Sequence, residues 1–300
     1  MKTLIISSDY GKASTSALNS SADGIVINIP AVNFMGVTGF YRPKLNELIS
    51  DIKKHYSYGK TSAISIRFGK DAGAWDRYPY LTITESSHQG QGTPEPMKQP
   101  IFYSTSYQQH LKDFWQWLFE GLLPVWHIIE YFKITGINQK TSEFRAFDQN
   151  FAEPSVDPYY SAAVAWHSSG YSESVCLEAC KSVIDIFKGI DKPVIMAFIN
   201  GLAGFPCIIG NSICKPNKRH RITDILINYG YNNPDFGTMY TALKMGGAIP
   251  SIMGSNPSFQ ISETEYNKAV TKEKFEAVRN YAKSLNAKYL EIFNGNLNLL

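Results

Sequence analysis

Cysteine is scarce in this chain, with four in 300 residues. Cys176 and Cys180 stand at i and i+4 of a helical pattern, and Cys207 and Cys214 lie near a turn. Neither pair has the C-x-x-C spacing of a zinc site, so no metal is expected. Buried free thiols are the expected state, with a Cys207–Cys214 disulfide as the alternative. Charge is sparse too: Asp, Glu, Lys and Arg make up 18% of the chain and leave a net charge of +3. That is too little for a basic footprint, so no nucleic-acid partner is expected. No stretch approaches the roughly 20 apolar residues of a membrane span. The opening, MKTLIISSDYGKAS, holds only the short apolar run Leu4 to Ile6. A signal-peptide core needs roughly 7–15 residues. The expectation is a mature chain, one exported by another route or one kept inside the cell, with an extracellular or particle-associated setting favoured.

Aromatic side chains are plentiful: 18 Tyr, 17 Phe and 5 Trp. They suit an aromatic-lined binding surface or an aromatic core. Short apolar runs that read as buried parallel strands fall at 24–30, 62–68, 101–105, 132–138, 193–199, 222–228, 247–253 and 288–293. Helical patterns lie between several of them. One opens at Pro43, one runs from Tyr107 with a break at Pro124, and one is capped by Ser172. A short one covers 236–245, and the last is capped by Ser262 or Thr264. Apolar strands alternating with helices define βαβ units and a parallel sheet. Eight such strands favour closure over an open sheet. The predicted fold is therefore an α/β (β/α)8 TIM barrel, a single domain over 1–300 with residues 1–22 as a loose lead-in. It lacks a helix after the last strand. Either the N-terminal segment covers that position or the chain is a domain of a longer protein.

A barrel presents its chemistry at the strand C-terminal ends. The fourth strand turns through Gly136 to Lys140 and delivers Glu143, with Asn138, Lys140, Thr141 and Arg145 around it. Glu143 reads as an acid/base, or as a loop carboxylate paired with Lys140 or Arg145. Glu291, within the last strand, reads as a second carboxylate or as a buried, hydrogen-bonded strand residue. Arg67, Asp71, Trp75, Asn138, Trp166, Asn200 and Tyr231 complete the candidate set. Trp75 and Trp166 lie on long aromatic-rich excursions, as cleft walls or as packing. A phosphate-cradling glycine loop, a Ser/His/Asp set and a metal-spaced His cluster are all missing from this set, and no cofactor is expected. Amides and carboxylates hydrogen-bond sugar hydroxyls, and Trp and Tyr faces stack on pyranose rings, so the expected partner is a carbohydrate.

At these residues the chain resembles the (β/α)8 glycoside hydrolases, over about 24–294. The resemblance rests on the strand order, on NQKTSE after strand four, on KPVIMAFING at strand five and on KYLEIF at the final strand. It implies cleavage of a polysaccharide or glycan, with Glu143 as general acid and a second carboxylate as base or nucleophile. Two departures from the retaining members stand out. Ser142, not Asn, precedes Glu143, and strand seven ends in MGSNPS without a carboxylate. The second carboxylate is then Glu291, Asp71 or Asp76, or there is none. The last case gives the alternative functions: a barrel that binds carbohydrate without cleaving it, or a structural or adhesion protein of a secreted or viral particle.

Overall fold

The structure is a computed structural model that describes residues 1–7, 12–36, 38–68, 78–85, 95–136, 166, 168–199, 208–209, 212–213, 224–243, 256–261, 264–265 and 268–300. Eight parallel strands close into a barrel. In chain order these are β1 (Lys2–Ile6), β2 (Gly24–Pro30), β3 (Thr61–Arg67), β6 (Ile129–Lys133), β7 (Val194–Ile199), β10 (Phe236–Leu243), β11 (Pro257–Ile261) and β14 (Tyr289–Phe293). Each pairs with its neighbour in that order, and β1 closes the ring on β14, from Lys2 opposite Tyr289 to Ile6 opposite Phe293. Three small antiparallel ladders stand outside the barrel. They are β4 (Tyr80–Glu85) with β5 (Glu95–Pro100), β8 (Ile208–Ile209) with β9 (Ser212–Ile213), and β12 (Thr264–Glu265) with β13 (Lys268–Ala269).

Alternation along each barrel strand sorts side chains into two cores. Leu4, Ile6, Val26, Ala63, Tyr131, Ile195, Ala197, Met239 and Tyr289 fill the bore. Ile5, Ile25, Ile27, Ile64, Phe132, Met196, Phe198, Tyr240, Leu290 and Ile292 face outward into the larger core under the helices. Helix Arg42–Ser57 has proline in its first turn and buries Leu45, Leu48 and Ile52. Helix Thr105–Leu122 buries Phe114, Trp115 and Leu118, and gives way to a 3-10 turn, Leu123–Ile128, at Pro124. At its C-terminal end Gly121 lets the helix approach Leu45, where a Cβ would stand 2.2 Å from Cδ2. The Ser172 side chain caps helix Glu173–Ile186 by accepting from Val175 N at 3.2 Å. On that helix Cys176 and Cys180 are buried free thiols with sulfurs 4.0 Å apart.

The strands expected at 24–30, 62–68, 193–199 and 288–293 correspond to β2, β3, β7 and β14; the one expected at 132–138 instead runs from Ile129 to Lys133 as β6, with 137–138 outside the described residues. Four other expectations are corrected. Residues 1–22 are not all lead-in, because β1 is a full barrel strand bonded on both sides, to β14 and β2. Its three-residue apolar run suffices because ladder bonds on two flanks replace length. Residues 101–105 form the turn that starts helix Thr105–Leu122, not a strand. Residues 222–228 and 236–245 exchange roles: 224–230 are helical, and Phe236–Leu243 is the strand. A short apolar run such as DILIN is equally consistent with either element, and packing decides. The strand expected at 247–253 lies outside the described residues, and β11 occupies the seventh barrel position. Thr271 caps the last helix, Lys272–Ser284, with Oγ1 accepting from Lys274 N at 3.3 Å; Thr264 sits in β12.

Candidate functional site

Toward the strand C-terminal ends the bore changes from apolar to polar. Asn28 and Ser65 follow Val26 and Ala63 on the inward face, with Ser65 Oγ 3.5 Å from Asn28 Oδ1. Lys133 follows Tyr131, and Glu291 follows Tyr289. Gln260 comes in from β11. Tyr131, Lys133 and Gln260 converge on Glu291, which has no exposed surface. Its Oε1 accepts from Tyr131 Oη at 2.6 Å. Its Oε2 accepts from Lys133 Nζ at 2.7 Å and from Gln260 Nε2 at 2.8 Å. Lys133 and Glu291 form an ion pair with side-chain exposures of 2% and 0%. A pair so buried loses several kcal/mol of hydration per ion, about the scale its attraction must return. Extra charge-assisted hydrogen bonds tip that balance, and Tyr131 and Gln260 supply them. Burial, reinforced by the negative charge of Glu291, pushes the Tyr131 phenol well above the usual tyrosine range, so it stays a donor.

A second polar cluster closes the other end of the bore. A shift in register between β3 and β6 sets Ser62 opposite Ile129 and Ala63 opposite Tyr131, leaving Glu130 as the extra residue. Glu130 accepts from Lys2 Nζ at 2.7 Å and from Tyr289 Oη at 3.1 Å. Tyr289 and Tyr131 stack between the two clusters, with ring centroids 4.6 Å apart. Burial and then the Glu130 charge raise the Tyr289 phenol.

Of the sequence candidates, Glu291 lies in the upper cluster. Arg67 ends β3, half-buried, in the inward-facing alternation of Ala63 and Ser65. Trp166 is fully buried, its ring packed on Phe102, Tyr103 and Tyr171 at 5.4, 6.0 and 6.0 Å. It is packing in this structure, not a cleft wall. Tyr231 is corrected outright. It follows helical residues 224–230 and precedes β10, so it stands at the strand N-terminal ends, edge-on to Phe236 at 5.2 Å. Asp71, Trp75, Asn138, Glu143 and Asn200 lie outside the described residues. The start of the segment that carries Asn138 and Glu143 is nonetheless fixed: Tyr107 Oη donates to Gly136 O at 2.7 Å. Gly136 has φ 135°, a conformation that L side chains rarely adopt.

Tyr131, Lys133, Gln260 and Asn28 were missed as site residues. A signal was present in Lys133, a cation inside the apolar run FKIT, since lysine is almost never fully buried unless paired. Gln260 in SFQI is the same kind of anomaly. A groove of about 690 Å³ lies elsewhere, on the outer surface between helices Thr105–Leu122 and Glu173–Ile186, with Phe119, Ile186 and Tyr229 among its walls. Lys181 pairs with Glu178 on it, Gln116 donates to Glu120 and Tyr229 Oη donates to Asp185, so it reads as a solvated interhelical surface. Among the described residues, no group of three or more His, Cys, Asp or Glu is placed to hold a metal ion. No helix among them is long and apolar enough to cross a membrane.

No protein-family model matches the chain. No curated protein matches it by sequence. Solved structures do match in fold. The catalytic domain of β-amylase from Paenibacillus polymyxa superposes with a TM-score of 0.57 at 10% identity, over 99% of this chain and 92% of that one. A β-galactosidase from the psychrophilic Marinomonas ef1 gives 0.55 at 9%, over 97% of this chain and 54% of that one. Ega3 from Aspergillus fumigatus, solved with galactosamine, gives 0.50 at 10%, over 99% and 92%. At these identities the likeness is one of fold. It places the chain among (β/α)8 barrels whose architecture resembles that of the TIM-barrel glycoside hydrolases.

Proposed function

We propose that this barrel is a glycoside hydrolase-like protein that takes a carbohydrate at its strand C-terminal mouth. Glu143 serves as general acid, and Glu291 is the second carboxylate. The observation that carries the reading is the polar upper bore. A barrel core is ordinarily layered with branched apolar residues. Here the upper bore holds a buried anion with lysine, tyrosine and glutamine donors, and half-buried Asn28, Arg67 and Gln260 lead up to it. Such a cluster brings little stability beyond that of an apolar layer, and buried charges of this kind cluster where a site recognises or reacts. Arg67 and Asn28 are the proposed sugar-binding groups among the described residues. Asp71, Trp75, Asn138 and Asn200 join them as proposals from sequence.

A second reading, binding without cleavage, is favoured by one feature. Glu291 is fully enclosed and accepts three donors, which suits a fixed structural anion as well as a reacting one. One experiment separates the two: a screen of polysaccharides for release of reducing ends, run with parent, Glu143→Gln and Glu291→Gln proteins. If Glu143 is the acid, its Gln variant loses on the order of 10²–10⁴-fold in rate while still binding. A Glu143→Gln protein as fast as the parent removes Glu143 from the mechanism. If the parent releases nothing but retains a glycan on an affinity gel, the binding reading replaces the hydrolase.

A further inference from the structure

We infer that Gln260 is a ligand-binding residue of the mouth, an amide held from below so that its oxygen accepts from a hydroxyl of the ligand. The inference deepens the proposed site and rests on that reading for the carbohydrate it names. It begins from which member of the upper cluster solvent can reach. Tyr131, Lys133 and Glu291 are all buried. Gln260, the fourth member, is half-buried and stands one residue before the C-terminal end of β11. A ligand that enters the bore from the mouth therefore meets this cluster at Gln260. The two ends of that amide are in unlike settings. Nε2 donates to Glu291 Oε2 at 2.8 Å, and Lys133 Nζ donates to the same oxygen at 2.7 Å. An amide oxygen turned toward Oε2 would set acceptor against the acceptor of an ion pair, so the nitrogen faces inward. Oε1 then faces away from Glu291. It makes no hydrogen bond to a described residue, and it keeps exposed surface.

The opposite wall supplies the other half of the requirement. β3 and β11 stand four strands apart in the ring of eight, so Arg67 and Gln260 reach the mouth from opposite sides. A guanidinium only donates, and an amide oxygen only accepts. A ligand held between them must accept on the Arg67 side and donate on the Gln260 side. An ionised carboxylate or sulfate accepts and has nothing to donate, whereas a hydroxyl does both. The pair therefore takes a ligand that presents a hydroxyl, not an anionic oxygen, to Gln260. A neutral sugar unit at that point meets the requirement, and the charged group of an acidic sugar does not. Glu291 and Lys133 act on this contact only by fixing the amide, through the bond to Nε2.

The test pairs a change in the protein with a change in the probe. The probes are soluble starch, galactan and xylan, each native and O-methylated, in native affinity gels of the full chain. Methylation removes the hydroxyl donor and keeps the oxygen as an acceptor. Gln260→Met keeps the length of the side chain and removes the amide. On a native polysaccharide that retards the parent, the Met variant should bind about 3–10-fold more weakly, the scale of one hydrogen bond. On the methylated form it should lose less, so that the preference for free hydroxyls shrinks. A Met variant that binds the native form as well as the parent overturns the inference. So does one that weakens both forms by the same factor, which marks a structural effect. If the Met variant does not fold, Gln260→Asn, which withdraws the amide by one methylene, takes its place. Should none of the three probes retard the parent, the carbohydrate reading fails and the ligand named here fails with it. The held amide is then judged alone, from the side-chain N–H signals of Gln260 in the NMR spectrum of the parent. Their expected contacts are with the Tyr131 and Lys133 side chains, with a shift in Glu291→Gln. Amide protons that show neither overturn the inference whatever the protein binds.

Discussion

The two ends of the bore carry the same three residue types in opposite surroundings. Above, Lys133 and Tyr131 donate to Glu291; below, Lys2 and Tyr289 donate to Glu130. Both tyrosine–glutamate bonds cross the barrel between β6 and β14, which stand opposite each other in the ring, so each strand gives a tyrosine to the other's glutamate. Solvent makes the difference. The Lys2 and Glu130 side chains are 50% and 13% exposed, against 2% and 0% for Lys133 and Glu291. In water an ion pair contributes about 0–1 kcal/mol, because hydration competes with the partner. In the closed upper bore no water competes, and each group depends on the others. The lower cluster is thus a replaceable plug, and the upper one is an all-or-none unit.

Breaking the upper pair is the largest test of that contrast. Lys133→Met leaves an uncompensated buried anion and should cost about 3–5 kcal/mol of unfolding free energy in a urea titration. Replacing Glu291 by Met as well removes the stranded charge and should recover much of that loss. A single variant that loses less than about 1 kcal/mol would show that the upper bore is hydrated after all.

Acid sharpens the comparison by marking where it can be made cleanly. His55 is buried beside Ser62, with Nδ1 2.9 Å from Oγ, and burial pushes its pKa from 6.5 down to about 4. The folded state resists protonation that the unfolded chain accepts. Its contribution is therefore intact above about pH 6.5 and is lost as pH falls toward 4, by up to about 3 kcal/mol. Stability measured against pH should drop across that window and flatten in His55→Leu. An unchanged slope in the Leu variant would remove His55 as the cause. The two ends of the bore are best compared above pH 6.5, where this group is silent.

Smaller effects follow the same gradient. Tyr131→Phe removes one donor from a buried carboxylate and should cost about 1–3 kcal/mol. Tyr289→Phe should cost less, on the order of 0.5–1.5 kcal/mol, since Glu130 keeps Lys2 and some solvent. Equal losses from the two substitutions, measured by denaturant midpoint, would erase the distinction between the ends. Last, Lys2→Met should change stability by about 0–1 kcal/mol, and that little should fade as salt is raised. A salt-independent loss above that range would place Lys2 in a more buried pair than its exposure indicates.

Several elements are legible in the sequence. The run VIMAFI is apolar at every step, and GIVINIP is apolar but for Asn28, because a parallel barrel strand is buried on both faces, and both are strands. Pro43 and Ser172 mark their helix starts through local chemistry, a missing N–H and a side-chain cap, and both do so in the fold. Glu291 is singled out as a second carboxylate on the last strand because strand seven, ending in MGSNPS, supplies none. Its partners are not, because β6 and β14 are about 160 residues apart and nothing local to either strand reveals which residues face each other across a bore. The register shift that turns Glu130 beside Tyr131 leaves no mark in the sequence IEYFK.

By itself, then, the sequence determined the alternation of buried strands and capped helices, because those depend on side-chain period, backbone donors and apolar content within a dozen residues. It determined the kind of architecture even where DILIN and FGTMYTAL were read for one another, since the number of strands needed to close the ring left room for both. Tertiary structure alone decided that the N-terminal run Leu4 to Ile6 completes the barrel, because only ring closure supplies its two partners. It alone decided that Tyr231 lies at the end of the barrel away from Arg67, because the direction of a strand, not its composition, sets which loop meets which mouth. And it alone decided that Lys133 and Glu291 are one unit: charges so far apart in sequence meet only when closure has removed the water between them.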